Sequence, residues 1–485
     1  MKKRSKKEEV ELQKELEKYQ HLPRKDRKKK ERELQKQFHD KSITIKSGKK
    51  FTKKEGLSRK EQRLLLKNKN FLNDLRKIIH KYLPDLSNLF SSLTDTRHQG
   101  HITYNIRTIV MTRLFALLCG ITTMTEINSK FNTEQAIKNL STICNQELKE
   151  IPNWQTIQDV IETLNYKEID EIRKYIFTAL LRSKMFDRFR YNGSIQLIVD
   201  ATGLTALDYN LNGNCLSRTR DGNTKYYKYV LEAKVVFGNF VISIDSEWIE
   251  NINMNTEKQK QDCETNAFKR MASRIKKNYP KLKFIVTGDA LYATTPMIDI
   301  CKDHKWYYIF NLKQNRLKTV FEQFEDDIHD QNEVNKENYF LSSGITFKEN
   351  TFNAFRYIET KNNKTTTFNY ISNLQIDSHN IEQIVAMGRK RWKIENEGFN
   401  EQKNGTFNIS HLCSRHENGL KIHYLFIQIA HTIRQLLEYG FASVKEVKSF
   451  VTKKEISSLI INSLISSIIT NLVSSDLNFQ LRFDD

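Results

Sequence analysis

Residues 195–204, IQLIVDATGL, form a short apolar run that ends in an acid and a glycine. Upstream of it apolar residues recur at three- and four-residue spacing, as in TIVMTRLFALLCGI (108–121) and WQTIQDVIETL (154–164). That spacing is helical, and from Ile195 the period becomes that of strands. Next comes YKYVLEAKVVFGNFVISIDSEWIE (227–250), two β-rich halves hinged at Gly238-Asn239, a hairpin signal. A helix is expected over about 259–278, acidic early (Asp262, Glu264) and basic late (Arg270, Arg274, Lys276, Lys277), as the helix dipole prefers. A strand (LKFIVTGD, 282–289), a helix (PMIDICKDH, 296–304) and a strand (WYYIFNLK, 306–313) follow. This order predicts an α/β fold, a mixed sheet with helices packed against it.

Working outward, residues 332–376 alternate aromatic or β-branched residues with polar and turn residues, which predicts a β-rich insertion. Helical spacing returns over 379–403 and again over about 419–439. The chain divides into an arm (1–60), an all-helical region (61–190), a core (191–331 and 377–410) interrupted by the insertion (332–376), and a C-terminal helical region (411–485). Ile456 to Val473 carries no charge, but Ser and Asn interrupt it and apolar residues recur at 456, 459, 460, 464, 468 and 472. That is a buried or partner-facing helix rather than a membrane span, which needs about 20 mostly apolar residues.

Charge points to the partner. Of 485 residues, 79 are Lys or Arg and 58 Asp or Glu, a net +21, which favours a polyanion and puts nucleic acid first. Residues 1–60 hold 23 basic and 10 acidic residues, so most of the excess sits in an arm with few apolar anchors. A solvated tail and an electrostatic arm on phosphates are both compatible with it. Arg107, Arg113, Lys130 and Lys138 are candidates for a DNA-facing surface of the helical region, or its ordinary solvated face. Six scattered cysteines without any CxxC fit reduced intracellular thiols, and MKKRSKKEEVELQKELEKYQ (1–20) has no apolar segment of the signal-peptide kind.

Three carboxylates stand out by position. Asp200 closes the first core strand, Asp289 closes the strand after the long helix, and Glu395 lies in the helical stretch after the insertion. If the first strand lies beside 282–289, the two aspartates emerge as neighbours, as ligands gather at strand ends in such sheets. Three carboxylates suit Mg²⁺ or Mn²⁺, and two such ions about 3.5–4 Å apart clamp the oxygens of a phosphoryl displacement. Each acid alone is weak evidence, and Asp289 before ALYATTPM also reads as a turn cap. In GRKRWKIENEGFNEQKNG (388–405), Arg391 and Glu395 share a helical face, with Lys403 about 80° round and Glu397 opposite. A cation–acid–cation stripe binds metal with phosphates beside it; an exposed ion-pair helix has the same spacing.

LIVDATGL (197–204), IVTGDALYA (285–293) and RWKIENEGFNEQKNG (391–405), with β-rich sequence before the last, resemble the DDE transposases of bacterial insertion sequences. The resemblance covers about 195–408 and is to the branch with a β insertion between its second Asp and its Glu. It implies a ribonuclease-H-like core, two Mg²⁺ ions (or Mn²⁺) on Asp200, Asp289 and Glu395, and cleavage and joining of DNA at the element's terminal inverted repeats. It further implies that Arg391, Lys403, Arg389 and Lys390 contact DNA, that the helical region and arm recognise the ends, and that the protein works as a homodimer in the bacterial cytoplasm at the nucleoid, without membrane. The C-terminal helices are the candidate dimer interface. Departures are visible: Gly388 stands where the family's signature has Tyr, and Lys403 falls one residue late, with Gln402 at the expected place. The tryptophans 154, 248, 306 and 392 all lie outside the insertion, so no base-wedging residue is named. A catalytically silent DNA-binding descendant and a nuclease that cuts without joining are the alternative readings.

Other signals were weaker. His411, Cys413, His416 and His423 lack paired zinc-ligand spacing. The stretch NLNGNCLSRTRDGN (210–223) reads as an exposed loop whose Arg218 and Arg220 could touch DNA. No phosphate-binding glycine loop, dinucleotide fingerprint or nucleophile elbow is present.

Overall fold

The computed structural model describes residues 69–251, 261–330, 337–441 and 451–483; the basic arm 1–60 lies outside the described residues. Among the described residues seven α-helices come first: α1 (Phe71–Tyr82), α2 (Leu86–Ser91), α3 (Ile106–Leu118), α4 (Thr125–Phe131), α5 (Glu134–Cys144), α6 (Trp154–Thr163) and α7 (Tyr166–Arg182). Asn70, Asn105, Thr133, Asn153 and Asn165 each accept a first-turn N–H, satisfying donors that the helices leave open. In α3 every residue but Arg107 is buried. Arg113 is therefore no DNA-facing residue: it is fully buried, 2.9 Å from His423 Nδ1.

The sheet follows: β1 (Ile195–Leu207), β2 (Leu216–Arg220), β3 (Asn223–Phe237), β4 (Phe240–Ile249), then helix α8 (Glu264–Asn278), β5 (Phe284–Gly288), α9 (Thr295–Asp303), β6 (Tyr307–Asn311), α10 (Lys318–Asp330), and the hairpins β7 (Tyr339–Phe347), β8 (Asn350–Lys361) and β9 (Lys364–Ser372). The strands are ordered β2-β3-β1-β5-β6-β9-β8-β7, with β4 also on β3. β1, β5 and β6 run parallel, β3 pairs antiparallel with β1, and β9 antiparallel with β6. This is a ribonuclease-H-like mixed sheet, and the strands of the insertion extend it. Gly238-Asn239 forms the two-residue turn between β3 and β4, with Gly238 at φ +60°. The expected loop 210–223 instead contains β2, joined to β3 through Asp221-Gly222, both at positive φ as the tight hairpin turn requires.

Past the sheet come α11 (Ile381–Arg389), a π-helical segment α12 (Ile394–Gly405), α13 (Glu417–Gln435, continued by Leu436–Gly440) and α14 (Lys453–Ser466). The stretch 379–403 is thus two segments with a break after Arg389. α14 stops at Ser466, short of the spacing read to residue 472. The buried Asn139 side chain takes up the carbonyls of Leu464 and Ser467 at 2.7 Å each, closing the helix end. Ile456, Ile460 and Leu464 are buried in the chain's own core, while Ile468 and Val473 are exposed. No helix among the described residues is long and apolar enough to cross a membrane.

α13 is buried on nearly every side and joins the N-terminal helices to β4 in one hydrophobic core. Its Arg434 donates to Leu118 O and Ser457 Oγ (2.9 Å each) and Lys453 O (2.7 Å), and pairs with buried Glu438 at 2.7 Å. Removing one partner of a buried pair strands the other charge. Arg434→Met is therefore expected to cost about 3–5 kcal/mol in urea unfolding, and Glu438→Gln in the same chain to recover part of it.

Candidate active site

The parallel register pairs Leu197 with Val286 and Ile198 with Thr287. Extended by two residues, it sets Asp200 level with Asp289. β1 does not end at Asp200, as its sequence suggested: it runs on to Leu207, paired with β3 alone, while β5 stops at Gly288. The departure of β5 opens a notch in the sheet where the two aspartates stand. Each uses one oxygen locally: Asp200 Oδ1 accepts from Ala201 N at 3.0 Å, and Asp289 Oδ1 from Leu291 N at 2.8 Å. Gly288 makes room for this turn, because a Cβ there would lie 2.6 Å from the buried Tyr292 ring.

α12 covers the notch. Its Ile394 and Phe399 form a small buried cluster with Ile198 of β1, Val236 of β3 and Val241 of β4, which brings Glu395 over Asp200. Arg391 joins the two acids, its Nη1 3.0 Å from Glu395 Oε1 and 3.5 Å from Asp200 Oδ2. The Arg391 side chain is buried, its guanidinium 4.6 Å from the centroid of the half-exposed Trp392 ring, and its Nε has no partner.

The wide turns of α12 account for the shifted lysine. With i→i+5 hydrogen bonds each turn takes in roughly one residue more than the 3.6 of an α-helix. Two turns beyond Glu395 therefore falls later than the seventh residue. Gln402, at the α-helical position, is fully buried against Gln428 and His431. Lys403 is half-buried, and burial lowers its pKa while the Asp200 carboxylate raises it. Gly388 also has a packing reason: a Cβ there would meet the Tyr370 ring at 2.8 Å, so β9 fills the space a side chain would need.

The other residues singled out in the sequence lie elsewhere. Arg389 forms a two-point pair with Glu359 of β8 (2.8 and 3.1 Å) and lies over the Tyr357 and Phe368 rings. Lys390 caps α11, its N–H donating to Ala386 and Met387. Glu397 accepts from Tyr439 on the far side of α12. One acid was missed: Glu264, in the first turn of α8, accepts from Tyr292 at 3.4 Å and is close enough for its charge to act on Asp200. Its position in an acidic first turn read only as a dipole preference.

Burial drives the Asp200 carboxyl up to about 7; Arg391 opposes the rise, and Glu395, Glu264 and Asp289 add to it. Burial, then Asp289, also raises Glu264. Among the described residues no three His, Cys, Asp or Glu side chains stand close enough to close on one ion, and Arg391 lies between two of the acids instead. The donors are all carboxylate oxygens under mutual repulsion, a set that fits a hard divalent cation. A cavity of about 1060 Å³ lies beside β4, where Arg274 pairs with Glu247 at 2.8 Å and Arg270 with Asp262 at 2.7 Å.

A family model described as Transposase DDE domain matches residues 192–433, and one described as DDE_Tnp_1-associated matches residues 87–175. The chain belongs to the DDE transposases. No curated protein matches it. Membership in the DDE transposases makes the chain a transposase-type nuclease that depends on divalent metal and binds DNA.

A carboxyl whose pKa is raised by folding keeps its proton while the unfolded chain has lost it, so stability falls as pH rises from about 4 to about 7 and then levels off. Without divalent ions, Asp200→Asn is expected to be more stable than the parent above pH 7, by roughly 2–4 kcal/mol, and to lose this advantage towards pH 4. Urea unfolding across that range measures it.

Proposed function

We propose that the protein is the transposase of an insertion sequence, cutting the element's terminal inverted repeats and joining the freed 3′-hydroxyl ends to target DNA. The observation that carries this reading is Arg391 set between Asp200 and Glu395 on a helix seated over β1. Asp200, Asp289 and Glu395 would hold two Mg²⁺ ions, with Mn²⁺ able to substitute. Such ions, when bound, supply the clamp on attacking and leaving oxygens that an in-line displacement needs. Arg391, relieved of the carboxylates, offers a planar pair of donors to a phosphate, and its unpartnered Nε favours that exchange. Lys403 supplies a second positive charge on the same side. Arg389 and Lys390, away from the acids, contact DNA farther along. Packing of Ile394 and Phe399 on the sheet keeps water from the floor of the notch.

The helices of 61–190 and the arm recognise the ends in this reading, and two copies pair them in the bacterial cytoplasm, at the nucleoid. The stripe through Leu464 is already buried in the chain, so the C-terminal pairing surface narrows to the exposed Ile468 and Val473.

The test uses purified protein, Mg²⁺ or Mn²⁺ and a plasmid carrying the gene's own flanking DNA, with cut and joined ends mapped by sequencing. Metal-dependent cuts at inverted repeats, with joined products, are expected. Glu395→Gln should reduce them by roughly a hundredfold or more, since even the partners behind a metal ligand are worth roughly 10–100-fold. Cuts without joining would identify a nuclease; binding of the ends without cuts would identify a silent DNA-binding descendant.

A further inference from the structure

A cleft of about 450 Å³ opens at the far end of the helix that carries Glu395, between the end of α12, the turn after α3 and the first turns of α14. Lys403, eight residues beyond Glu395 on α12, lines it, and Lys454 and Ser458 line it from α14. Charge here is uncompensated. The neighbouring Lys453 is held by Glu401 at 3.0 Å, whereas neither Lys403 nor Lys454 has an acidic partner among the described residues.

A second observation points to a ligand. Thr406 is 6% exposed and lines the cleft, yet its Oγ1 has no hydrogen-bond partner. A buried hydroxyl left in that state costs about 1–3 kcal/mol, and buried polar groups are otherwise almost always paired. The floor is tightly built: Gly120, at φ +76°, has no Cβ, and Ser457 lies 2.9 Å from where one would be. The cleft therefore offers two cations and an orphan hydroxyl in a fixed frame, which is the chemistry of a phosphate site.

We propose that this cleft binds a backbone phosphate of the DNA strand adjoining the one held at the acids, with Lys403 and Lys454 on its charge and Thr406 Oγ1 donating to an oxygen. The proposal rests on the DNA-cutting reading of the notch. Lys454 is then a DNA-binding residue supplied by the C-terminal region, and α14 is part of the substrate path.

Binding of a labelled duplex by the full chain, measured against salt, tests it in Lys454→Gln, Lys454→Arg, Thr406→Val and the control Lys281→Gln, which lies before β5 at the opposite end from Asp289. Lys454→Gln should weaken binding several-fold and flatten log K against log salt by about 1, Lys454→Arg should retain both, and Lys281→Gln should change neither. Thr406→Val should weaken DNA binding while leaving the thermal midpoint unchanged or raised, which a structural role would not do. Equal effects of Lys454→Gln and Lys281→Gln would overturn the proposal. Titration with inorganic phosphate separates the sources: phosphate binding that needs Lys454 while DNA affinity does not would assign the cleft to a free anion and overturn it too. A parent protein that binds no duplex at low salt would instead bring down the DNA-cutting reading, and this proposal with it.

Discussion

The site depends on the seating of Ile394 and Phe399 against Ile198, Val236 and Val241. Buried side chains of this size contribute roughly 1.5–3 kcal/mol each, and they hold a carboxylate helix over two aspartates that repel it. Arg391 offsets part of that repulsion through Asp200 and Glu395 together. The apolar contact fixes where Glu395 is; the guanidinium makes the position tolerable without a metal. In the proposed reading a divalent ion held by these acids would supply the same compensation with more charge, and Arg391 would be left for a phosphate.

The sheet sets the other half of the geometry. Parallel pairing of β1 with β5 brings Asp200 and Asp289 level, and the earlier end of β5 exposes the edge of β1 at that point. The insertion widens the sheet through β9 on β6, and its Tyr370 closes over Gly388. The residue that fills the space beside α11 thus comes from the insertion, not from the helix itself.

Much of this was legible in the sequence. The change of period at Ile195 and the Gly238-Asn239 hinge located the sheet because each is a local signal, whereas β1 runs past Asp200, where its sequence suggested an end. What escaped depended on distant contacts or unusual geometry. Asp221-Gly222 carried the hairpin signal, but the polar residues around it read as a loop. The stop of α14 at Ser466 is imposed by Asn139, more than 300 residues earlier in the chain. Arg113 looked solvated until α3 proved buried on all sides. The late Lys403 read as a departure because α-helical spacing was assumed where α12 has wide turns, and Glu264 joins the acids only through the packing of α8.

Anomalous scattering from Mn²⁺ in crystals of the full chain tests the central claim most directly. The account predicts Mn²⁺ at coordination distance from Asp200 and from Asp289 or Glu395, with Arg391 displaced from at least one carboxylate. Mn²⁺ bound only in the cavity beside β4, with Arg391 still bridging Asp200 and Glu395, would contradict it.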